Sequence, residues 1–260
     1  MKTFGLAIAG LGAEFRSPSP GLLALLRRRY GRFAASGRGL KLELSPRRPS
    51  SGGFTPRVTA DDSSLTINRG DLRAVLDLRS GRGRVEAAPS EQCLDAFLRA
   101  YISASLLRSG GLMLHSAGIL KDGRACLFPG VSGAGKSTLG RLAAASGRAE
   151  LISDEINLLR FERGRLMVYG SPFWGEMRAD GRPGRWPLGG IFALKKARAD
   201  SLSPLGRAEL LRLLLRCTVN FEKSPEAASL ALANAAAIAA YAPAGRLAFC
   251  KSGCGFLELI

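Results

Sequence analysis

The sequence lacks long apolar runs. No stretch of about 18 unbroken apolar residues occurs, so no membrane-spanning helix is expected. The apolar segment Phe4–Ala13 follows a single basic residue, Lys2, and is weakly similar to a signal peptide, but a leading β-strand explains it equally well.

Cysteine is too sparse and too irregularly spaced for a disulfide or zinc framework. Only Cys250 and Cys254 lie close together, and no second pair accompanies them; the others are Cys93, Cys126 and Cys217. This pattern favours reduced thiols, as in the cytosol.

Acidic residues are also scarce. The 21 Asp and Glu residues stand against 38 Lys and Arg residues, which gives a formal net charge of +17 at pH 7. Such an excess can indicate nucleic-acid binding, but the basic residues here are scattered, and Arg27-Arg28-Arg29 is their longest run. Few aromatic residues are interleaved with them for base stacking. We therefore expect no nucleic-acid recognition, and attribute the charge to attraction of an acidic partner or a triphosphate.

Residues 1–88 are predicted to form a small α+β domain, for which a part in substrate binding is the expectation. Phe4–Phe15 is typical of a strand, and the apolar spacing over Leu22–Phe33 is typical of a helix. Leucines alternate with charged residues over Leu40–Leu44, as in a half-buried strand. Three more short strands are predicted to form an antiparallel meander, around Leu65, Leu72–Leu78 and Val85.

A helix capped by Ser90 is predicted to begin the second domain, residues 89–260. Strands Leu112–Ile119 and Arg124–Phe128 follow, with a tight-turn signal between them. The later elements are a hairpin, a buried strand, two helices and a final strand pair: 150–169, Gly190–Leu194, Gly206–Arg216, Pro225–Ala240, and Arg246–Phe249 with Phe256–Ile260. The predicted fold class is α/β (α+β), with a mixed, largely antiparallel sheet.

A phosphate-binding loop follows the first hairpin of this domain. Gly130-Val131-Ser132-Gly133-Ala134-Gly135-Lys136-Ser137-Thr138 matches G-x-x-x-x-G-K-[ST] at every position. Glycines let the backbone curl so that its N–H groups point at the phosphates, and the helix that begins at Lys136 adds its positive end. Lys136 is expected to reach the β- and γ-phosphates, and the Ser137 hydroxyl to coordinate Mg²⁺. ATP and Mg²⁺ are therefore the predicted cofactors.

Asp154 and Glu155 end the strand that follows the loop helix. The space between Lys136 and Asp154 holds the helix and one returning strand, not the additional βα unit of motor-type ATPases. The chain also lacks the Asn-Lys-x-Asp signature of Ras-like GTPases. Neither class of nucleotide hydrolase is therefore predicted.

Three elements in this order resemble a known family. Leu114-His115-Ser116-Ala117-Gly118, the phosphate loop and Ser153-Asp154-Glu155 are similar to the catalytic core of HPr kinase/phosphorylase and its relatives in the phosphoenolpyruvate carboxykinase-like fold. The resemblance covers residues 112–156 well, and extends more loosely through 171–176, 187–188 and 256–260. It implies a P-loop kinase core of this type behind the small N-terminal domain.

The resemblance also implies roles for individual residues. Asp154 would hold Mg²⁺ together with Ser137, and either Asp154 or Glu155 would accept the proton of the attacking hydroxyl. His115 would lie beside the loop, near the γ-phosphate or the acidic pair, although a lone histidine on an apolar strand is equally explained as a core residue. HPr kinase has two aspartates where this chain has Asp-Glu, and its glutamate-rich signature is absent here, which leaves the HPr substrate and phosphorylase activity open.

Two residues further along are weaker candidates. Glu176 could be a second metal ligand or a substrate contact, and Arg178 a phosphate contact. Both are equally explained as solvated loop residues.

The predicted function is that of a cytoplasmic ATP- and Mg²⁺-dependent kinase acting on a hydroxyl group of a protein or peptide, with serine as the first candidate acceptor. Two alternatives stay open: a nucleotide-binding regulator that transfers nothing, and a small-molecule kinase. The loop contacts only phosphates, so ATP and GTP are not distinguished. Related kinases assemble as oligomers, which raises the prospect of a homo-oligomer.

Overall fold

The computed structural model describes residues 2–36, 39–50, 53–177 and 181–260. The chain forms two compact units, each built on its own mixed, largely antiparallel β-sheet, with five α-helices among the described residues. The first unit comprises Met1–Ser105 with Asn220–Ala228, and the second comprises Leu106–Val219 with Ser229–Ile260. The division between the units falls inside the helix Glu91–Arg108. No helix within the described ranges has the length and apolarity needed to cross a membrane.

The first unit contains a seven-stranded sheet in the order β1-β2-β3-β7-β6-β5-β4. Strand β3 pairs parallel with β2 and β7, and the other pairs are antiparallel. The strands are β1 (Lys2–Ile8), β2 (Leu11–Ser17), β3 (Leu40–Pro46), β4 (Arg57–Ala60), β5 (Ser64–Arg69), β6 (Leu72–Asp77) and β7 (Arg82–Ala87), and the helices are α1 (Pro20–Tyr30) and α2 (Glu91–Arg108). The predicted meander is present, with β4 as a fourth strand that the sequence did not indicate.

The prediction of one strand over Phe4–Phe15 was wrong. The segment is the hairpin β1–β2, which turns at Ala9 (φ 52°) and Gly10 (φ 76°). Two consecutive left-handed residues make the two-residue turn that matches the twist of a hairpin. Alanine is not a typical residue at such a position, so the apolar pattern continued through the turn without a signal.

Alternation along the strands gives this sheet one apolar face and one charged face. Phe15 on the apolar face contacts Phe97 of α2 edge to face, with 6.0 Å between ring centroids. The charged face places opposite charges in cross-strand register, for example Glu43 opposite Arg84 and Asp77 opposite Arg82. Cross-strand pairs of opposite charge are typical of a solvated sheet face. Part of the scattered basic excess therefore lies on this face.

The second unit contains an eight-stranded sheet in the order β10-β8-β11-β12-β13-β15-β14, in which β9 pairs with both β8 and β13. Strand β13 runs parallel to β9 and β15, and the other pairs are antiparallel. The strands are β8 (Gly111–Lys121), β9 (Arg124–Pro129), β10 (Glu150–Ser153), β11 (Ile156–Glu162), β12 (Arg165–Tyr169), β13 (Arg185–Lys196), β14 (Ser201–Pro204) and β15 (Ala244–Phe249), and the helices are α3 (Lys136–Ala145), α4 (Arg207–Cys217) and α5 (Pro225–Tyr241).

The prediction of a final strand over Phe256–Ile260 was wrong. Residues Gly255–Glu258 form a 3-10 helix, and Phe256 and Leu257 are both fully buried. A strand would turn consecutive side chains to opposite faces of a sheet, whereas a tight helical turn can bury two neighbours in one core. They join a core cluster with Leu139 and Ala143 of α3 and Phe249 of β15. This cluster fixes α3, and with it the end of the phosphate loop, against the sheet.

Candidate functional site

The glycine-rich loop lies between the end of β9 and the start of α3, as predicted. Gly133 and Gly135 have φ angles of +79° and +103°, in the left-handed region that favours glycine. Gly135 is the N-cap of α3, so the unpaired N–H groups of the first helical turn open onto the loop. The Gly130 N–H donates to the His115 carbonyl oxygen at 3.4 Å, which attaches the loop to β8.

Close packing explains two of the glycines. A Cβ on Gly130 would lie 2.8 Å from the Cβ of Ala134, and a Cβ on Gly135 would lie 2.8 Å from Cζ of Phe249. A side chain at Gly130 would displace Ala134 or the loop, and one at Gly135 would displace Phe249 or the loop. Glycine at both positions therefore fits the observed curl without displacement.

Lys136 is folded into the loop. Its side chain is buried, and Nζ donates to the carbonyl oxygens of Gly130 at 2.8 Å and Val131 at 3.1 Å. Burial lowers the pKa of Lys136 below 10.5, and the negative charge of Glu155 opposes that shift. Both hydrogen-bond acceptors are neutral, so these contacts leave the ammonium charge available to an anion.

Asp154 lies between β10 and β11 with only 3% of its surface exposed. Its Oδ2 accepts a hydrogen bond from the Met177 backbone N–H at 2.9 Å. A Cβ on Gly175 would lie 2.6 Å from the same oxygen, so the loop before Met177 passes directly over the carboxyl group. These contacts fix the carboxylate at the edge of the cleft that the phosphate loop borders.

Glu155 and His115 are neighbours across the sheet. The Ser116 N–H donates to the Glu155 carbonyl oxygen at 3.0 Å, and His115 is paired with Ile156 in the β8–β11 register. The His115 Nδ1 lies 3.6 Å from the Glu155 Oε2, an ion-pair distance when the imidazole is protonated. Both side chains are about one-quarter to one-third exposed, with 31% for His115 and 25% for Glu155. His115 is therefore a partly exposed neighbour of Glu155 and not a residue of the hydrophobic core.

One cleft of about 290 Å³ brings most of the predicted site residues together. Its lining comprises His115, Ser132, Gly133, Gly135, Lys136, Ser137, Thr138, Arg141, Asp154, Glu155, Glu176 and Lys196. Gly130 and Ala134 are absent from this lining and contribute to the shape of the loop. The predicted phosphate contact Arg178 lies outside the described residues.

Two cations in the lining were not predicted from the sequence. Arg141 follows Ser137 by one turn of α3, so helical spacing could have placed both on the same face. Arg141 lies 3.8 Å from the carboxylate of Glu176, which was predicted from the sequence as a candidate site residue. Lys196 had no local signal, because it reaches the cleft only through the strand order of the folded sheet.

The donor set suits Mg²⁺. Ser137 and Asp154 line the same cleft, and the hydroxyl and carboxylate oxygens that they carry are the hard ligands that Mg²⁺ prefers. Within the described ranges, no group of three or more His, Cys, Asp or Glu residues could hold a metal by itself. Magnesium at nucleotide sites usually takes one or two protein ligands and completes its shell with phosphate oxygens and water. The two residues present therefore fit a metal that arrives with a nucleotide.

Comparisons with known proteins add no family assignment. No protein-family model matches the chain, and no curated protein matches it significantly.

Proposed function

We propose that the chain is a cytoplasmic ATP- and Mg²⁺-dependent kinase that transfers the γ-phosphate to a hydroxyl group of a protein or peptide. Serine is the first candidate for the residue that carries this hydroxyl. The observation that carries this proposal is the presence of two carboxylates, Asp154 and Glu155, in the cleft that the phosphate loop borders. Phosphate binding requires the loop and Lys136 alone. A metal-binding carboxylate beside a second carboxylate that can act as a base is an arrangement suited to phosphoryl transfer to a hydroxyl.

We assign the two carboxylates different tasks. Asp154 is fixed by the Met177 N–H and the neighbouring Gly175, which suits a group that must hold a metal in one position. Glu155 is more exposed and faces His115, which suits a group that meets a variable acceptor. Asp154 is therefore the proposed metal ligand with Ser137, and Glu155 the proposed base.

The proposed transfer moves one proton and one phosphoryl group. Glu155 accepts the proton of the acceptor hydroxyl, whose oxygen forms a bond to the γ-phosphorus. The bond from that phosphorus to the β–γ bridging oxygen breaks, and its electron pair leaves with ADP. Lys136 neutralises the charge that develops on the departing β-phosphate. Ser137 and Asp154 would hold Mg²⁺, which would supply further neutralisation of the phosphate charge.

The core is proposed to be of the phosphoenolpyruvate carboxykinase-like type, as in HPr kinase. The hairpin β8–β9 leads directly into the loop, and β10 and β11, which flank Asp154, both pair with β8. Strand β8 therefore links His115, the phosphate loop and the acidic pair.

The test is transfer from γ-labelled ATP, with Mg²⁺, into the soluble proteins and peptides of the source cell. Wild type is compared with Lys136→Ala, Asp154→Asn and Glu155→Gln. Asp122→Asn is the matched control, because this carboxylate is 82% exposed on the β8–β9 turn, away from the cleft. A species labelled by wild type and by the control, and by none of the three site variants, is the expected result.

Other outcomes separate the alternatives. Labelling of a small metabolite in place of a protein would replace the acceptor with a small molecule. Nucleotide binding by wild type without any labelled product would contradict the kinase proposal and favour a nucleotide-sensing regulator. Partial recovery of Asp154→Asn, but not of Glu155→Gln, at raised Mg²⁺ is the expected sign that the two carboxylates act differently.

A further inference from the structure

Lys196 ends β13 at the same edge of the sheet as the phosphate loop. Strand β13 runs parallel to β9, with Ile191 paired to Leu127, and β9 leads into the loop after Pro129. Because parallel strands end at a common edge, the last residues of β13 extend beside the loop. Strand order, and not sequence proximity, therefore brings Lys196 to the cleft.

Contacts around Gly135 show where the Lys196 side chain lies relative to the phosphate loop. Its Cε lies 3.7 Å from the position that a Cβ on Gly135 would occupy, and the Phe249 ring lies against the same position. Lys196 and Phe249 are paired in the β13–β15 register. The aliphatic part of Lys196 therefore lies beside the last glycine before α3, and the residue lines the cleft.

The ammonium charge of Lys196 is not neutralised by an ion pair within the described residues. Arg141, the other cation that the sequence did not predict, faces the Glu176 carboxylate at 3.8 Å. Within the described residues, the Lys196 side chain makes no hydrogen bond or ion pair, and only its backbone pairs with β15. A nucleoside polyphosphate carries several negative charges, and Lys136 neutralises only part of them.

We propose that Lys196 is a second phosphate-binding residue, which contacts the α- and β-phosphates of the nucleotide beside the Gly135 amide. The inference rests on the nucleotide site of the proposed function and not on transfer to any acceptor. Backbone amides of such a loop surround the α- and β-phosphates, whereas the loop lysine reaches the β- and γ-phosphates. Lys196 therefore contributes to the binding of ADP and ATP alike, and Lys136 favours ATP.

Calorimetric titration of the full chain with Mg-ADP and with Mg-ATP tests this assignment. Lys196→Ala is expected to bind both nucleotides about tenfold more weakly, as expected for loss of one charge-assisted contact. Lys195→Ala is the matched control: it removes an equal charge from the neighbouring position of β13, whose side chain points to the opposite face of the strand. Lys196→Arg is expected to retain most of the affinity. Lys136→Ala is expected to lose more affinity for ATP than for ADP.

The outcomes distinguish the inference from the proposed function. Equal affinities for Lys196→Ala and Lys195→Ala would overturn the inference, whether both match wild type or both fall, since a general charge effect would then suffice. Absence of nucleotide binding by wild type would overturn the inference and the nucleotide site together. Lys196 is exposed, so the variant is expected to unfold at the wild-type midpoint, which a thermal melt checks.

Discussion

At the scale of single residues, the position of the Asp154 carboxylate depends on Gly175, which has no functional group of its own. Asp154 is buried, and Gly175 passes so close to its carboxyl group that a Cβ would lie 2.6 Å from Oδ2. The Met177 N–H donates to the same oxygen. The backbone of this loop therefore sets the direction of the proposed metal ligand.

Gly175→Ala is expected to displace Asp154 and weaken the metal site. Loss of a group that orients a metal ligand typically costs about 10- to 100-fold in metal affinity, so the Mg²⁺ concentration for half-maximal transfer should rise by at least about tenfold. A Mg²⁺ titration in the transfer assay measures this. Gly253→Ala is the control, because a Cβ there meets nothing within 4 Å. An unchanged Mg²⁺ requirement in Gly175→Ala would show that the loop does not position Asp154.

Burial of Lys136 predicts a pH dependence of nucleotide binding. Its folded-state pKa is lowered from 10.5, chiefly by desolvation, so the ammonium group loses its proton at a lower pH than an exposed lysine does. The protonated form binds phosphate, hence affinity for ADP should fall as pH rises through that lowered pKa. Metal-free titrations across the alkaline range measure the fall, and Lys136→Met should not show it. The same shift makes folding stability rise with pH between the folded pKa and 10.5, because the unfolded chain binds the additional proton there.

At the scale of elements, the loop is held between two strands and a helix that share one core. Phe249 of β15 lies under Gly135 and contacts Phe256 of the 3-10 helix, with 6.1 Å between ring centroids. Leu139 and Ala143 of α3 belong to the same cluster. The residues that follow β15 are therefore part of the support of the phosphate loop.

Phe256→Ala should destabilise the second unit by about 3–5 kcal/mol, the usual cost of emptying a fully buried phenylalanine site. Leu259→Ala, at a position that is 37% exposed, is the control and should change stability by less than about 1 kcal/mol. Both tryptophans, Trp174 and Trp186, belong to this unit, so tryptophan fluorescence during urea unfolding reports on it. Equal midpoints for the two variants would contradict the role of the 3-10 helix in the core.

At the scale of the whole chain, the net charge of +17 comes from basic residues that are scattered along the sequence and form no long run. On the first sheet, several arginines face acidic residues across the strands, for example Arg84 opposite Glu43 and Arg73 opposite Glu86. In the cleft, by contrast, cations and carboxylates have separate proposed tasks. We therefore expect the charge to attract anions in general rather than to recognise a nucleic acid.

Binding to duplex DNA should accordingly be weak and independent of sequence. Contacts to phosphates alone lose affinity steeply between about 50 and 200 mM salt, because counterion release drives them. Fluorescence anisotropy with two unrelated duplexes should show equal affinities at low salt and little binding at the higher concentration. Retention of one duplex over the other at the higher salt would return nucleic-acid recognition to consideration.

The sequence by itself determined the features that depend on local pattern. The phosphate loop was found because its glycines, lysine and serine must be contiguous to curl around phosphates, and the folded chain has this curl between β9 and α3. Ser90 was predicted as a helix cap from its neighbours, and its Oγ accepts from the Cys93 N–H at 3.2 Å. The β8–β9 hairpin followed from its turn residues for the same reason.

Only the tertiary structure decided which distant residues share the cleft. Lys196 lies there because β13 is the parallel neighbour of β9, and Glu155 faces His115 because β11 pairs with β8. Phe256 was wrongly predicted to lie in a strand. Its burial in a 3-10 turn depends on a core formed by α3 and β15, which the local sequence does not indicate. Strand order and core packing are fixed by contacts between residues far apart in the chain, and such contacts leave no local pattern in a single sequence.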